Sequence, residues 1–163
     1  MINRRFVTSH PAHLIALGFG SGLSQFAPGT AGTLWAWVSF LVMQLFLSTT
    51  QLACVIVVAT FVGWWACTKT AANLIDKDPG VIVIDEIVAF WLILLFWMPA
   101  GFWAQFAAFV IFRILDAAKP GPVGWADRYF HGWGWRGGWG IMFDDLVAAF
   151  CTLLILSLWQ ATR

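Results

Sequence analysis

The sequence predicts an all-α protein: a polytopic membrane bundle of about five apolar helices, with short hairpins on one side and polar loops on the other. Hydrophobic residues make up 61% of the chain and charged residues only 10%, whereas soluble domains carry about 25% charged residues. The mean hydropathy is +0.81, as in membrane proteins. Residues 6–68, 87–112 and 146–162 carry no charge at all. The length fits one domain covering residues 1–163.

Five apolar segments each predict one helix of the bundle. They comprise residues 34–47, 52–68, 82–98, 101–118 and 143–159. Each is shorter than the roughly 20 residues needed to cross a hydrocarbon core about 30 Å thick, so buried helices of a soluble protein are the alternative. A chain this small has too little polar surface to cover five such helices, which favours membrane spans. Local thinning of the bilayer or polar residues at the helix ends would compensate for the short lengths.

The connections between the segments alternate in character. Residues 48–51 and 99–101 form short, uncharged links, as in helical hairpins. The N-terminus and the loops 69–80 and 119–142 lie on the other side, which then holds eight of the nine Lys and Arg residues. Because cytoplasmic loops are enriched in Lys and Arg, that side is expected to be cytoplasmic. A fifth segment lying along the membrane interface would instead return the C-terminus to the cytoplasm.

Acidic residues are concentrated where three of the predicted helices reach this cytoplasmic side. The residues concerned are Asp85 and Glu86 at the start of the third segment, Asp116 at the end of the fourth, and Asp144 and Asp145 at the start of the fifth. Five of the eight acidic residues are therefore expected to converge at one membrane depth, although they are far apart in the sequence.

Each acidic pair, Asp85-Glu86 and Asp144-Asp145, has two interpretations. Carboxylates at helix N-termini cap free N–H groups and interact favourably with the helix dipole, but one residue suffices for a cap. Near a low-dielectric medium, neighbouring carboxylates need a cation to stay ionised together. Hard oxygen ligands favour Mg²⁺, Mn²⁺ or Ca²⁺ over zinc. The pairs therefore indicate a divalent metal site.

Basic residues and a glycine-rich stretch accompany these acids. Arg113, Asp116 and Lys119 share one helical face. They form either an intrahelical ladder of ion pairs with snorkelling bases, or a site in which Asp116 serves a metal and the bases hold phosphate oxygens. Residues 18–33 contain five glycines together with Thr30 and Thr33. Since glycine lets backbone N–H groups approach a ligand, this stretch is either an anion-binding loop or a close-packed re-entrant turn.

Other features argue against a nucleic-acid-binding protein and against a zinc site. The net charge of +1 argues against a nucleic-acid partner, which requires a large basic excess. The three cysteines lack the pair spacing of a zinc site and are interpreted as core or lipid-facing residues. Trp133, Trp135 and Trp139 are expected to anchor a loop among the lipid headgroups. His131 is an acid, a phosphate contact or an ordinary loop residue.

Four pieces of the sequence together resemble the phosphatidylglycerophosphatase A family of bacterial lipid phosphatases. The pieces are FGSGLSQFAPGTAGT, VIVIDEIVAFW, FVIFRILDAAKPGPVGWADRYFHG and GGWGIMFDDLVAA. They occur in the family's order and are distributed over nearly the whole chain from His13 to Ala149. The resemblance implies a Mg²⁺-dependent enzyme of the bacterial inner membrane, with its site facing the cytoplasm. Its phospholipid substrate would be phosphatidylglycerophosphate, from which it removes the terminal phosphate and leaves phosphatidylglycerol.

By motif, the resemblance makes Asp85, Glu86, Asp116, Asp144 and Asp145 the acidic site, Lys119 its base, and Gly29, Thr30 and Thr33 part of the N-terminal loop. Taken with the charge pattern, it leads to the following expected roles. The metal ligands would be Asp85, Glu86, Asp144 and Asp145. The catalytic residues would be Asp116, Lys119 and Asp145, with Asp116 acting either as a ligand or as a base. The substrate's phosphate would contact Thr30, Thr33, Arg113, Lys119 and Arg128. Attack on phosphorus by water and attack by an aspartate are both compatible with this set.

The alternative from another functional class is a membrane carrier of cations or protons that uses the same acids. Carriers place ionisable groups near the midplane of the bilayer. Here the five acids are predicted at helix ends on one side, and the membrane interior offers only Gln, Ser and Thr as polar groups. The pattern favours the phosphatase.

Overall fold

The computed structural model describes residues 4–74, 80–130 and 134–162, and within those ranges the chain is helical without any strand. The elements are α1 (Arg4–Ser9), α2 (Pro11–Ala16), a 3₁₀ segment (Gly18–Leu23), α3 (Pro28–Gln44), α4 (Thr49–Asn73), α5 (Ile84–Trp97), α6 (Phe102–Ala118), α7 (Pro122–Tyr129) and α8 (Gly134–Ala161). The predicted all-α class is confirmed. The five apolar segments correspond to α3, α4, α5, α6 and α8.

Two of the described helices are long and apolar enough to cross a membrane, α4 with 25 residues and α8 with 28. By contrast, α3 and α6 have 17 residues each and α5 has 14, fewer than the roughly 20 that a span needs. Val58, Phe61 and Leu158, on α4 and α8, are at least 60% exposed, which suits contact with lipid. The structure thus supports association with a membrane, and the bundle of five spans stays a prediction.

The expected loop 119–142 is largely helical, because it contains α7 and the start of α8. Residues 134–142 are rich in Gly and Trp and have low helix propensity, but they pack tightly on α4. A Cβ atom at Gly138 would lie 2.0 Å from Thr68 Oγ1, and Trp64 Nε1 donates a hydrogen bond to the Trp135 carbonyl at 2.7 Å. Tertiary contact overrides propensity here.

This earlier start of α8 corrects the prediction for the second acidic pair. Asp144 and Asp145 do not begin a helix; they lie well inside α8, which begins at Gly134. A capping role is therefore wrong for these two residues. Asp85 and Glu86, in contrast, do lie in the first turn of α5.

Small residues set the level at which the helices meet. A Cβ atom at Gly63 of α4 would lie 3.3 Å from Met142 Sδ of α8 and 3.2 Å from Ile84 Cγ1 of α5. Since Thr68 lies beside Gly138 and Gly63 beside Met142, α4 and α8 run antiparallel. The first turn of α5 therefore lies level with Met142, just before the acidic pair of α8, which brings the two acidic pairs to the same level.

The N-terminal helices are held against α4 and α5 by buried hydrogen bonds. His13 Nδ1 lies 3.0 Å from Thr70 Oγ1, and the Thr70 hydroxyl donates to the Ala12 carbonyl at 3.3 Å. A hydroxyl has one proton to donate, so we assign the proton in the first bond to His13 Nδ1. The Val83 N–H donates to the Ala16 carbonyl at 2.9 Å. These bonds fix the chain that leads into α3.

The His13 contact predicts a pH dependence of stability. Burial, with a smaller contribution from the charge of His10, lowers the pKa of His13 below 6.5. The unfolded chain therefore binds this proton more readily, so stability is full at pH 7.5 and falls as the pH drops through about 6.5. His13→Asn keeps an N–H donor for Thr70 without a titrating ring. It should flatten the fall in unfolding temperature between pH 7.5 and pH 5, measured in detergent micelles.

The matched control is His10→Asn, which keeps an acceptor at the N-cap of α2, where His10 Nδ1 accepts from the Ala12 N–H. This variant should keep most of the pH dependence. Equal slopes in the wild type and in His13→Asn would contradict the assignment.

Candidate functional site

Three carboxylates from two helices meet where α5 begins. Asp85 and Glu86 of α5 and Asp145 of α8 each place one oxygen within 4.8 Å of the other two. Asp85 is only 9% exposed and Asp145 only 3%. Two negative charges at this separation repel each other by about 3.5 kcal/mol at an effective dielectric constant of about 20. The cluster is therefore unfavourable unless a cation or protons neutralise it.

Several buried carboxylate oxygens at this level have no hydrogen-bond partner among the described residues. They are Glu86 Oε2, Asp144 Oδ1 and Asp145 Oδ2. An unpaired buried acceptor costs about 1–3 kcal/mol, and more when it is charged. Carboxylate oxygens are the ligands that Mg²⁺ and other hard cations prefer. The residues present therefore fit the divalent cation that the acidic pairs predict.

Capping explains only part of the first acidic pair. Asp85 Oδ1 accepts the Glu86 N–H at 3.0 Å, which satisfies one free donor of the first turn of α5. The Glu86 carboxylate does not cap the helix. Its Oε1 accepts from Arg113 Nη1 at 3.4 Å, so it connects α5 to α6.

Arg113 also brings Asp116 to this level. Its Nη1 donates to Asp116 within α6 as well as to Glu86 of α5. The predicted intrahelical ion pair is present, but the same guanidinium ties two helices together. Arg113 Nε is buried and has no acceptor within the described part of the chain. This orphaned donor suits an anionic oxygen such as that of a phosphate.

Lys119 adds a second cation next to the carboxylates. It ends α6 in a left-handed conformation, with φ 44° and ψ 51°, which costs a non-glycine residue about 1–2 kcal/mol. Its Nζ donates to Asp144 Oδ2 at 2.7 Å and also to Asp127. Burial disfavours the ammonium, but these two hydrogen bonds outweigh that effect and raise the pKa of Lys119 above its usual value. The Lys119 ammonium therefore lies between two carboxylates that favour its charged form.

Asp127 is a site residue that the sequence reasoning missed. It lies on the short helix α7, which packs on α8. Asp127 lies outside the apolar segments, so helical periodicity does not predict what it contacts. Its pairing with Lys119 depends on the turn at residues 119–121. The one available signal was its position, since it is the acid that follows Lys119 in the chain.

The N-terminal glycine-rich stretch reaches the same site through the first turn of α3. A Cβ atom at Gly29 would lie 2.1 Å from Glu86 Oε1 and 2.8 Å from Arg113 Nη2. Thr30 follows in the same turn and is partly exposed. Thr33 is fully buried, and its hydroxyl donates to the Gly29 carbonyl at 2.8 Å. Gly29 thus faces the Glu86–Arg113 pair, while the Thr33 hydroxyl is used within α3.

The remaining predicted residues lie elsewhere. Arg128 is exposed on α7, and its Nε donates to the Gly124 carbonyl of the same helix at 3.0 Å; the structure does not bring it to the carboxylates in any described contact. His131 and Trp133 lie outside the described residues, as do Asp76 and Asp78. Trp135 and Trp139 belong to α8, so the prediction that they anchor a loop was wrong.

The chain matches the family model for phosphatidylglycerophosphatase A over residues 14–160. It belongs to this family. The phosphatidylglycerophosphatase A of Escherichia coli K12 is 42% identical over 153 residues, covering 93% of this chain and 85% of that protein. The phosphatidylglycerophosphatase A of Haemophilus influenzae is 36% identical over 154 residues, covering 90% and 87%.

A Bacteroides thetaiotaomicron protein, named provisionally as a phosphatidylinositol-3-phosphatase, is also similar. It is 37% identical over 151 residues, covering 88% of this chain and 90% of that protein. No solved structure matches the chain. Membership of the phosphatidylglycerophosphatase A family confirms the resemblance deduced from the four sequence pieces and marks the chain as a phosphatase.

The close approach of Gly29 predicts a loss of phosphatase activity without loss of the fold. In Gly29→Ala the added methyl would displace the Glu86 carboxylate and the Arg113 guanidinium together. We expect release of phosphate from a lipid substrate to fall roughly 10- to 100-fold, as for small displacements in other active sites. The control is Gly101→Ala, because a Cβ atom there meets nothing within 4 Å. Equal activity of the two variants would show that Gly29 does not position the pair.

The pairing of Lys119 with Asp127 predicts the reactivity of its amine. Asp127→Asn removes one anionic partner, so the pKa of Lys119 should fall. Acylation of Lys119 by acetic anhydride at pH 9, quantified by peptide mass spectrometry, should rise by roughly tenfold for each unit by which the pKa falls. Lys69, exposed on α4, serves as the internal reference and should label at an unchanged rate. An unchanged Lys119 rate would contradict the pairing.

Proposed function

We propose that this chain hydrolyses the terminal phosphate of phosphatidylglycerophosphate, giving phosphatidylglycerol and phosphate, at the cytoplasmic face of a bacterial inner membrane. The observation that carries the proposal is the buried group of carboxylate oxygens within 4.8 Å of one another, beside two cations, in a member of the phosphatidylglycerophosphatase A family. The E. coli and H. influenzae relatives are both named phosphatidylglycerophosphatase A, and that name states this substrate.

The site's depth in the membrane supports a lipid phosphate as substrate. From Asp145 to the end of α8 at Ala161 the helix rises about 24 Å, and from Gly63 to the start of α4 at Thr49 about 21 Å. Both distances approach the thickness of a hydrocarbon core of about 30 Å. The carboxylates would therefore lie toward one side of such a core and not at its middle. A carrier would need them near the midplane, so this depth argues against the carrier.

The acidic residues would hold Mg²⁺. Asp85, Glu86 and Asp145 offer the converging oxygens, and Asp144 contributes the unpaired Oδ1. When bound, Mg²⁺ neutralises phosphate charge and activates water as a nucleophile. Side chains of the protein itself would bind the phosphate and accept the proton of the attacking water.

The two cations would bind the phosphate. Arg113 has a buried Nε donor to spare, and the Lys119 ammonium lies beside Asp144. Both would stabilise the negative charge that gathers on the phosphoryl oxygens in the transition state. Asp116, held next to Glu86 by Arg113, would accept the proton of the attacking water or supply a further oxygen ligand.

The other predicted contacts have separate roles. Thr30 and the backbone around Gly29 would complete the phosphate pocket from α3. We propose Arg128 and Thr33 only as contacts that support the loop and α3, since their hydrogen bonds in the structure are local. The short helices α3, α5 and α6 would cross a locally thinned bilayer, giving the five spans.

Phosphate release from phosphatidylglycerophosphate in mixed micelles, with Mg²⁺ or with EDTA, tests the proposal. We expect activity with Mg²⁺ only, and a loss of about 100-fold or more in Asp85→Asn and in Asp145→Asn, since each removes a charge from the cluster. Ser157→Ala, exposed on the same helix as Asp145, should match the wild type.

Three results would contradict all or part of the proposal. Absence of phosphate release by folded wild-type protein would exclude the activity. Full activity of both Asp→Asn variants would exclude the site. Hydrolysis of phosphatidylinositol 3-phosphate at a higher rate than phosphatidylglycerophosphate would replace the proposed substrate with the one that the Bacteroides relative's name gives.

A further inference from the structure

A cleft lined by aromatic side chains lies between α4 and α8, away from the carboxylates. Its volume is about 260 Å³, and it is lined by Phe61, Trp64, Phe130, Trp135, Arg136 and Trp139. Trp139 and Asp144 are five residues apart on α8, which separates them by about 7.5 Å along the helix axis and by about 140° around it. The cleft therefore opens on a different side of α8 from the acidic cluster.

Packing fixes the walls of the cleft. The Trp64 ring meets Trp135 and Trp139 edge-on, with centroid distances of 5.2 Å and 5.1 Å, and its Nε1 donates to the Trp135 carbonyl. A Cβ atom at Gly140 would lie 2.5 Å from the Phe130 carbonyl oxygen, so the end of α7 lies directly on α8. A preformed cleft lowers the entropic cost of binding a ligand.

Arg136 gives this aromatic cleft one charged group. Its side chain is exposed, and within residues 4–74, 80–130 and 134–162 it makes no hydrogen bond or ion pair. A guanidinium binds phosphate oxygens through two parallel N–H groups. The lining therefore combines apolar rings with one site for an anion.

Beyond the cleft, exposed apolar side chains continue along both helices, toward the start of α4 and the end of α8. On α4, Val57 and Val58 are 55% and 60% exposed; on α8, Phe150 and Leu154 are 61% and 49% exposed. Because α8 is about 42 Å long, it exceeds a hydrocarbon core of about 30 Å. Its first turns, with Arg136, would then lie at the level of the headgroups while the apolar surface lies below.

We propose that the cleft binds a phospholipid with an anionic phosphodiester headgroup, separate from the substrate at the carboxylates. The phosphate would contact Arg136, the start of one acyl chain would lie between the tryptophan rings, and the rest of the chain would lie along the exposed surface of α4 and α8. Pockets that enclose a whole ligand measure about 300–1,000 Å³, so a cleft of 260 Å³ encloses only part of the lipid.

Native mass spectrometry of the full chain in detergent tests this site. The probes are phosphatidylserine, which is anionic and is not the product of the proposed reaction, and phosphatidylcholine, which is neutral overall. We expect the wild type to retain phosphatidylserine in preference to phosphatidylcholine. Arg136→Gln should reduce that preference about fivefold, as expected for the loss of one basic residue near anionic lipid. Trp135→Ala should weaken retention of both lipids, because it removes an exposed wall and leaves the Trp64 hydrogen bond to the backbone.

The matched control is Lys69→Gln. Lys69 is exposed at the same end of α4 but points about 140° away from Trp64, so this variant should behave like the wild type. An equal loss of preference in Lys69→Gln and Arg136→Gln would show general attraction to anionic headgroups and overturn the proposal. Unchanged retention of phosphatidylserine in Arg136→Gln would also overturn the proposal. A second copy of the chain that covers the cleft would overturn it as well.

Phosphate release separates this site from the proposed active site. Arg136→Gln should keep wild-type activity in detergent at saturating substrate. If Arg136→Gln lost activity but retained phosphatidylserine like the wild type, Arg136 would belong to the reaction and the proposal would be overturned. If neither the wild type nor any variant released phosphate, only the proposed function would be contradicted.

Discussion

Mutual repulsion among buried carboxylates is the constraint on which the rest of the structure depends. The chain has eight acidic residues, and it places three of their oxygens within 4.8 Å of one another in a nearly uncharged bundle. Apolar burial holds the helices together but does nothing to reduce this repulsion. Arg113 and Lys119 each bridge two carboxylates and neutralise part of the charge. Glu86 Oε2, Asp144 Oδ1 and Asp145 Oδ2 stay without a hydrogen-bond partner among the described residues, and these are the oxygens that the proposed divalent cation would bind.

Close packing of small residues brings these carboxylates together. Gly63 lets α4 approach Ile84 and Met142, so α5 begins level with the part of α8 that carries Asp144 and Asp145. Gly138 lets α8 start early against Thr68. At the same level Gly29 closes the site from α3. A Cβ atom would clash at Gly29 and Gly138 and would be tightly packed at Gly63, so small residues are needed where the helices meet around the site.

The sequence predicted the helical class and the convergence of Asp85, Glu86 and Asp145, because segregation of charge from apolar segments depends only on composition and order. Local patterns could not predict where α8 begins, since residues 134–142 become helical through contact with α4. The same error placed Asp144 at a helix N-terminus. Asp127 was missed because the left-handed turn at Lys119 decides its position, and Thr33 looked available because a sequence does not show that its hydroxyl donates to Gly29.

Binding of Mn²⁺ as a spectroscopic substitute for Mg²⁺ tests the central claim most directly, because it measures the cation at the carboxylates without relying on catalysis. Electron paramagnetic resonance of free Mn²⁺ should show saturable binding to the wild type and to Ser157→Ala. Asp145→Asn and Asp85→Asn should weaken that binding by at least about tenfold, since each removes a charged ligand. Equal binding by all four proteins, or none by the folded wild type, would contradict the account.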